Sequence, residues 1–363
     1  MPALELFLQV ECTFASMQKI LSESNVLEYL RDRYPAVVGA GARCEPAGDG
    51  NINWVRRIRS DAGSVVVKQA GPHLQKFPEY AVSPDRILHE ARYYRAVAPF
   101  DLDGVCPRVL VLDADHRVLV LEDLGACERL DAALRRGADV TGALSRIAAF
   151  LGRVHEGTWN QSDIAAFPDG ATDDGVLRLH FEHIFRLPFA QNDFPLSRAL
   201  RAAAQELAGD AAFRQRVAAV EARCREGGRL VHGDVQPTNI LLARRGAVLL
   251  DAEIAHRGNP HFDVGLLLGH LVLAALARGR AADAADGAAP VWQAYVAARG
   301  AGASACDFGQ AAAIAGVEVL RRTLGAARVP EVADEVVARA AVRAGAQLLH
   351  ERPHHPEQLR GLG

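Results

Sequence analysis

Carboxylate and amide side chains in the second half of the chain have types and spacing that suit phosphoryl transfer. Asp234 is followed by Asn239 five positions later, and Asp251 and Glu253 come after a predicted β-hairpin. Oxygen donors in such an order can converge on a divalent cation such as Mg²⁺. Positions i and i+2 of an extended chain also point the same way, which would align Asp251 with Glu253. We therefore predict Asp234 as the catalytic residue and Asn239, Asp251 and Glu253 as metal ligands.

A glycine-rich turn near the other end of the chain suits a nucleotide. Residues 48–53 read Gly-Asp-Gly-Asn-Ile-Asn and lead into a hairpin that ends at Lys68. Glycines allow backbone N–H groups to approach phosphates closely. We expect Lys68 to contact the α- and β-phosphates and Glu90 to hold the lysine. Only three of the 41 basic residues are lysines, and a compact ammonium fits between phosphate and carboxylate where a guanidinium does not.

Together these motifs resemble the aminoglycoside phosphotransferase and choline kinase superfamily, small-molecule relatives of the protein kinases. Its catalytic loop corresponds to His-Gly-Asp-x4-Asn at residues 232–239, and a metal-binding aspartate follows. The glycine-rich turn, the Asp-x-Glu pair and residues 318–325 resemble methylthioribose kinases most closely. The resemblance covers about residues 26 to 350. It implies an α+β, bilobal, protein-kinase-like fold with a small antiparallel β-sheet lobe and a larger, mainly helical lobe.

The same resemblance implies roles for individual residues. Adenine would bond the backbone of Glu122 and Leu124, and Arg321 and Arg322 would reach a sugar acceptor beside Asp234. His232 is predicted to pack under the catalytic loop as a structural residue. Asp263 either braces that loop or caps a helix. The full set of predicted nucleotide-binding residues is Gly48, Asp49, Gly50, Asn51, Asn53, Lys68, Glu90, Glu122 and Leu124.

Two departures from the methylthioribose kinase pattern leave the acceptor open. Residues 236–239 read Gln-Pro-Thr-Asn, which is typical of antibiotic and choline phosphotransferases, and residues 129–226 show little of the pattern. We therefore keep three hypotheses: an ATP-dependent sugar kinase, an antibiotic phosphotransferase for an aminoglycoside or nucleoside, and an inactive nucleotide-binding module. A cationic aminoglycoside would need an acidic pocket. The helical region offers few acidic candidates, namely Asp173, Asp174, Asp283 and Asp286.

The elements that must position these residues follow from the hydrophobic pattern. Residues 1–123 are predicted as a nucleotide-binding lobe, β-rich after a helical extension over residues 1–40. Residues 124–363 are predicted as a helical lobe with the catalytic loop, the metal site and the acceptor pocket. One polar β-insertion at residues 229–253 interrupts those helices. Residues 281–289, which are rich in Ala, Asp and Gly, are predicted as a surface loop, and the tail from Pro353 as poorly ordered.

Composition limits the choice of partners and compartment. The chain has 363 residues and a net charge of −3, which provides no electrostatic surface for nucleic acid or an anionic membrane. Its six cysteines are scattered without a Cys-x-x-Cys pair, and the N-terminus lacks a basic leader. These features predict a cytoplasmic protein with reduced thiols. The partner that the family resemblance implies is a small-molecule hydroxyl acceptor. The sequence leaves both a monomer and a homodimer open.

Overall fold

A computed structural model of the chain describes residues 19–48, 52–75, 81–159, 161–171 and 175–362. Three predicted nucleotide-binding residues, Asp49, Gly50 and Asn51, lie outside these ranges, as do Asp173 and Asp174. In the described part of the chain, no helix combines the length and apolar character that crossing a bilayer requires.

The first part of the chain forms a five-stranded antiparallel sheet between two helices. In chain order its elements are α1 (Val26–Arg33), β1 (Arg43–Pro46), β2 (Trp54–Ser60), β3 (Gly63–Gln69), α2 (Arg86–Val97), β4 (Val109–Asp113) and β5 (Val118–Glu122). The strand order is β1-β2-β3-β5-β4. Side chains alternate along β3, so Val65 and Val67 pack in the cluster that includes α1, whereas Lys68 points to α2.

Buried polar contacts fix the N-terminal segment against the sheet. Asp113, at the end of β4, accepts a hydrogen bond from the Tyr29 hydroxyl at 2.7 Å and pairs with Arg33 at 3.1 Å. Burial alone would raise the pKa of Asp113, but the hydroxyl of Tyr29 and the groups of His116 hold it well below its usual value. Within the described residues, the predicted helical extension consists of α1 and a 3-10 helix at Pro35–Val37, and residues 1–18 lie outside them.

The remainder of the chain is mainly helical. Its elements are β6 (Glu128–Arg129), α3 (Leu130–Arg135), α4 (Thr141–Gly157), α5 (Gly175–Phe185), α6 (Arg198–Gly209), α7 (Ala211–Arg225), β7 (Arg229–Val231), β8 (Ile240–Ala243), β9 (Gly246–Leu249), β10 (His256–Gly258), α8 (His261–Ala277), α9 (Asp283–Arg299), α10 (Phe308–Leu324) and α11 (Glu335–Glu351). The predicted hairpin after the catalytic loop is confirmed as β8 and β9. Helices α8 and α10 are buried along almost their whole length and form the centre of this part.

Two predictions for this part were wrong. Residues 281–289 are not a loop, because α9 begins at Asp283. Aspartates in its first turn favour the positive end of a helix, and its alanines are strong helix formers that pack at the core. The tail is also ordered: a 3-10 helix spans Pro356–Gly361 and buries Leu359.

The close contact between α8 and α10 depends on Gly265. A Cβ atom added there would lie 2.5 Å from Ile314 Cβ and 2.9 Å from the Ala311 carbonyl oxygen. We predict that Gly265→Ala lowers the free energy of unfolding by about 1–3 kcal/mol, measured by urea denaturation. The matched control is Gly287→Ala in α9, where the added Cβ would meet Leu271 at an ordinary 3.8 Å. Gly287→Ala should leave stability equal or raise it by about 0.5–1 kcal/mol. Equal costs for both variants would contradict this account of the packing.

Candidate active site

A cluster of charged groups lies where the sheet meets the helical part. The ammonium of Lys68, on β3, is 2.7 Å from a Glu90 oxygen, 2.6 Å from Asp251 and 2.6 Å from Glu253. Lys68 is only 5% exposed. Burial alone would lower its pKa, but the carboxylates of Asp251, Glu253 and Glu90 raise the pKa well above its usual value. The lysine is therefore a charged group that connects helix α2 to the chain after β9.

The three carboxylates around Lys68 differ in burial and in their partners. Burial raises the pKa of Glu90 to about 7, against the opposing effect of Lys68. Glu253 is nearly buried and accepts a hydrogen bond from the Asn53 amide, which in turn accepts one from Arg86 at 3.0 Å. The Asp251 side chain is 48% exposed. Of the three carboxylates, that of Asp251 is the one open to an incoming ligand.

Asp251 and Glu253 converge, but not by the geometry that we expected. Asp251 has a φ of +65°, which is uncommon for a residue other than glycine. The backbone therefore turns at this point instead of running extended, and both carboxylates still meet at Lys68. Among the described residues, Glu90, Asp251 and Glu253 form a group whose carboxylate oxygens all lie within 4.8 Å of one another. This donor set suits a hard divalent cation.

The catalytic-loop residue Asp234 is held by two amides. Gln236 Nε2 donates to Asp234 Oδ2 at 2.7 Å, and Asn239 Nδ2 donates to the same oxygen at 2.8 Å. Asn239 also bonds the Asp234 carbonyl oxygen at 3.0 Å, so its amide group lies against Asp234. No described residue donates to Oδ1, the second carboxylate oxygen. The side chain therefore has a fixed orientation with one oxygen available to accept a proton from a hydroxyl.

Asp263, in the first turn of α8, holds the backbone of the loop. Its carboxylate accepts the N–H groups of His232 and Gly233, each at 2.8 Å, and contacts His155 at 3.1 Å. Burial alone would raise the pKa of Asp263, but these bonds hold it below its usual value. Helix α8 begins earlier, at His261, so the Asp263 carboxylate faces the loop instead of capping the helix. This geometry fits the bracing hypothesis.

His232 is buried beneath the loop. Its Nε2 atom lies 3.1 Å from the Leu250 carbonyl oxygen, and its Nδ1 atom accepts the Asp234 N–H at 3.3 Å. Burial lowers the pKa of His232, which keeps the ring neutral. The next residue, Gly233, has a φ of +86°, and a Cβ there would lie 2.7 Å from the Ile254 carbonyl oxygen. The loop conformation therefore requires a glycine at this position.

The predicted arginine pair lies on α10, and one of its members, Arg322, reaches the catalytic loop. The Glu318 carboxylate accepts hydrogen bonds from Arg321 Nε and Arg322 Nε, each at 2.7 Å. Burial alone would raise the pKa of Glu318, but the two guanidinium groups hold it well below its usual value. Arg322 Nη2 also donates to Gln236 Oε1 at 2.5 Å. A continuous path of hydrogen bonds therefore runs from Glu318 through Arg322 and Gln236 to Asp234.

Sequence reasoning assigned no role to Gln236 or Tyr94. Gln236 stands two positions after Asp234, and Tyr94 stands one helical turn after Glu90, so their spacing carried a signal. The Tyr94 hydroxyl donates to Glu90 Oε1 at 3.0 Å. The link between Arg322 and Gln236 spans 86 positions and is visible only in the folded chain.

The predicted hinge lies at the end of β5, and the described part of the glycine-rich turn follows β1. Glu122 ends β5, where its N–H donates to the Arg108 carbonyl at 3.0 Å and its side chain pairs with Arg245 at 2.7 Å. Leu124 follows and is half-buried. Gly48 has a φ of +116°, a conformation that favours glycine. The adenine and phosphate roles of these residues remain predictions.

A family model described as the phosphotransferase enzyme family matches residues 43–301. The chain belongs to this family. Among curated relatives, the methylthioribose kinase of Pectobacterium atrosepticum is 28% identical over 276 residues, covering 71% of this chain and 67% of that protein. The methylthioribose kinase of Erwinia tasmaniensis is 31% identical over 242 residues, covering 62% and 59%. The chain is therefore a small-molecule phosphotransferase, a kinase that uses an ATP-type nucleotide.

Solved structures confirm the α+β, protein-kinase-like fold. A choline/ethanolamine kinase family protein from Mesorhizobium loti matches with a TM-score of 0.53 at 17% identity, covering 93% of this chain and 99% of that one. An aminoglycoside phosphotransferase from Alicyclobacillus acidocaldarius matches with a TM-score of 0.51 at 17% identity, covering 95% and 97%. At these identities the likeness shows the fold alone.

The space around the Lys68 ammonium leads to a prediction for Lys68→Arg. Three carboxylates surround the nitrogen within 2.7 Å, and a larger, planar guanidinium cannot take that position without displacing one of them. We expect a loss of about 1–3 kcal/mol in the free energy of unfolding and weaker nucleotide binding by calorimetry. The matched control is Lys19→Arg, at an exposed lysine, which should change stability by less than about 0.5 kcal/mol. Near-wild-type behaviour of both variants would contradict the assignment.

Proposed function

We propose that this chain is an ATP-dependent kinase that transfers the γ-phosphate to a hydroxyl of a sugar or sugar-like molecule, as methylthioribose kinases do. The observation that carries the proposal is the fixed carboxylate of Asp234. Its Oδ2 atom accepts hydrogen bonds from two side-chain amides, and its Oδ1 atom accepts none from the described residues. Such a group can orient an acceptor hydroxyl and take its proton. Family membership supports phosphoryl transfer as the reaction.

In this proposal the two predicted lobes bind different substrates. Residues 1–123 bind the nucleotide, with adenine at the backbone of Glu122 and Leu124 and the phosphates at Lys68. Residues 124–363 hold the catalytic loop and the acceptor. Asp234 removes the proton as the acceptor oxygen attacks the γ-phosphate, whose bond to the bridging oxygen breaks to release ADP. Asp263 keeps the loop in place.

A divalent cation fits the residues at Lys68. Asp251 is the half-exposed member of the group formed by Glu90, Asp251 and Glu253. Asn239, the other predicted ligand, turns its amide nitrogen to Asp234. Bound Mg²⁺ would neutralise charge that develops on the nucleotide phosphates. The protein's contribution is to fix the Asp251 carboxylate beside a lysine that keeps its positive charge.

The charges near Asp234 favour an uncharged acceptor over a cationic aminoglycoside. Arg321 and Arg322 share one carboxylate, Glu318, and their remaining positive charge offsets that of the Asp234 carboxylate. Of the acidic residues considered for an aminoglycoside pocket, the two that the structure describes are paired elsewhere, since Asp283 contacts Arg280 and Asp286 contacts Arg360. The resemblance to relatives named methylthioribose kinases makes methylthioribose the first acceptor to test.

The experiment is ATP consumption by the full chain with a panel of acceptors: methylthioribose, free pentoses, choline, a nucleoside antibiotic and a deoxystreptamine aminoglycoside. We expect stimulation by methylthioribose or another pentose and none by the aminoglycoside. Stimulation by an antibiotic alone would favour the antibiotic phosphotransferase hypothesis. Nucleotide binding without stimulation by any acceptor would favour the inactive module.

For the catalytic role we predict the effect of Asp234→Asn. Turnover with the best acceptor should fall by about 10²–10⁴, because the amide cannot accept the hydroxyl proton, whereas the nucleotide dissociation constant should stay near wild type. The control is Asp286→Asn, at an exposed aspartate on α9, which should retain wild-type turnover. Retention of more than about a tenth of the wild-type turnover by Asp234→Asn would remove Asp234 from the reaction.

A further inference from the structure

The buried hydroxyl of Tyr94 connects two parts of the site that belong to different halves of the chain. It donates to Glu90 Oε1 at 3.0 Å, within α2, and accepts the backbone N–H of Asp251 at 3.1 Å. The other oxygen of Glu90 contacts Lys68, and Lys68 contacts the Asp251 carboxylate. These four residues close a ring of hydrogen bonds, and Tyr94 is the member that carries no formal charge.

We propose that Tyr94 is a positioning residue that holds the Asp251 backbone in the conformation that metal and nucleotide binding require. The inference rests on the proposed function, because it concerns the metal–nucleotide site of that reaction. Asp251 has a φ of +65°, a left-handed conformation that costs free energy for a residue with a side chain. A conformation of this kind persists only where neighbouring contacts hold it.

Two successive N–H groups hold the backbone that leads into Asp251. The N–H of Leu250 donates to the Asn239 carbonyl oxygen at 2.8 Å, which ties the chain to the catalytic loop. The N–H of Asp251 donates to Tyr94, which ties the chain to helix α2. Helix α2, which carries Glu90, therefore fixes the backbone of Asp251 through Tyr94.

The chemistry of the hydroxyl suits this double role. Tyr94 is buried, and a phenol hydroxyl has one proton to donate and lone pairs to accept with. It therefore donates to the Glu90 carboxylate and accepts from the Asp251 N–H at the same time. A phenylalanine keeps the ring but leaves the Asp251 N–H without its partner, which carries a substantial penalty for a group shielded from water.

The adjacent tyrosine provides a matched control. Tyr93 lies on the same helix and is fully buried, but its hydroxyl has no hydrogen-bond partner among the described residues. Tyr93→Phe and Tyr94→Phe remove the same atom from neighbouring positions. Any difference between them therefore reports on the hydrogen bonds of Tyr94 and not on the loss of an oxygen from α2.

The test measures nucleotide binding to the full chain as a function of Mg²⁺, using a fluorescent ATP analogue that is not hydrolysed. We expect Tyr94→Phe to raise the Mg²⁺ midpoint about tenfold, whereas Tyr93→Phe should stay within about twofold of wild type. A second assay measures turnover with ATP and an acceptor. There Tyr94→Phe should change the apparent affinity for Mg²⁺ and nucleotide and leave the acceptor KM within about twofold of wild type.

An unchanged Mg²⁺ midpoint in Tyr94→Phe would overturn the inference. Equal shifts in both variants would also overturn it, because they would show a packing effect of α2 without a specific role for the hydroxyl. A wild-type chain that binds nucleotide with Mg²⁺ but phosphorylates no acceptor would defeat the proposed function. The binding comparison would still decide the role of Tyr94.

Discussion

One buried ammonium group determines how the two halves of this molecule meet. Lys68 comes from the sheet, Glu90 from the helix beside it, and Asp251 and Glu253 from the chain after the catalytic loop. Three carboxylates around one lysine leave an excess of negative charge. Arg86 beside Glu253 offsets part of it, and the Tyr94 hydroxyl bonds Glu90. Removal of one partner would leave a buried charge uncompensated, so the cluster constrains the relative placement of β3, α2 and the turn at Asp251.

The contacts of Asp234 depend on a second charged group, which orients a neutral amide. Glu318 holds both arginines, Arg322 bonds the oxygen of the Gln236 amide, and the nitrogen of that amide therefore faces Asp234. A charge on helix α10 thus fixes the direction of an uncharged side chain on the catalytic loop. The closely packed α8 and α10 carry the two anchors, Asp263 and Glu318, so the geometry of the loop depends on how these helices pack.

The sequence was sufficient for the parts of this architecture that local chemistry determines. The motif around Asp234, the hairpin of β8 and β9, and the ordering of strands before helices all follow from residue types and short-range periodicity. Helix α9 did not, because a segment of Ala, Asp and Gly has no apolar period, and burial against the core decides its structure. The turn at Asp251 was also missed, since its left-handed φ depends on bonds from residues that are distant in the sequence. The spacing of Gln236 from Asp234 and of Tyr94 from Glu90 could be read from the sequence. Their distant partners, Arg322 and the Asp251 N–H, could not.

In the proposed function, the Asp251 carboxylate beside Lys68 binds the metal that accompanies the nucleotide. The most direct measurement is the affinity for a non-hydrolysable ATP analogue across a Mg²⁺ titration, in the wild-type chain and in Asp251→Asn. Affinity should rise with Mg²⁺ in the wild type, whereas Asp251→Asn should lose this dependence and retain only the weaker, metal-independent binding. The same Mg²⁺ dependence in both proteins would contradict this role of Asp251.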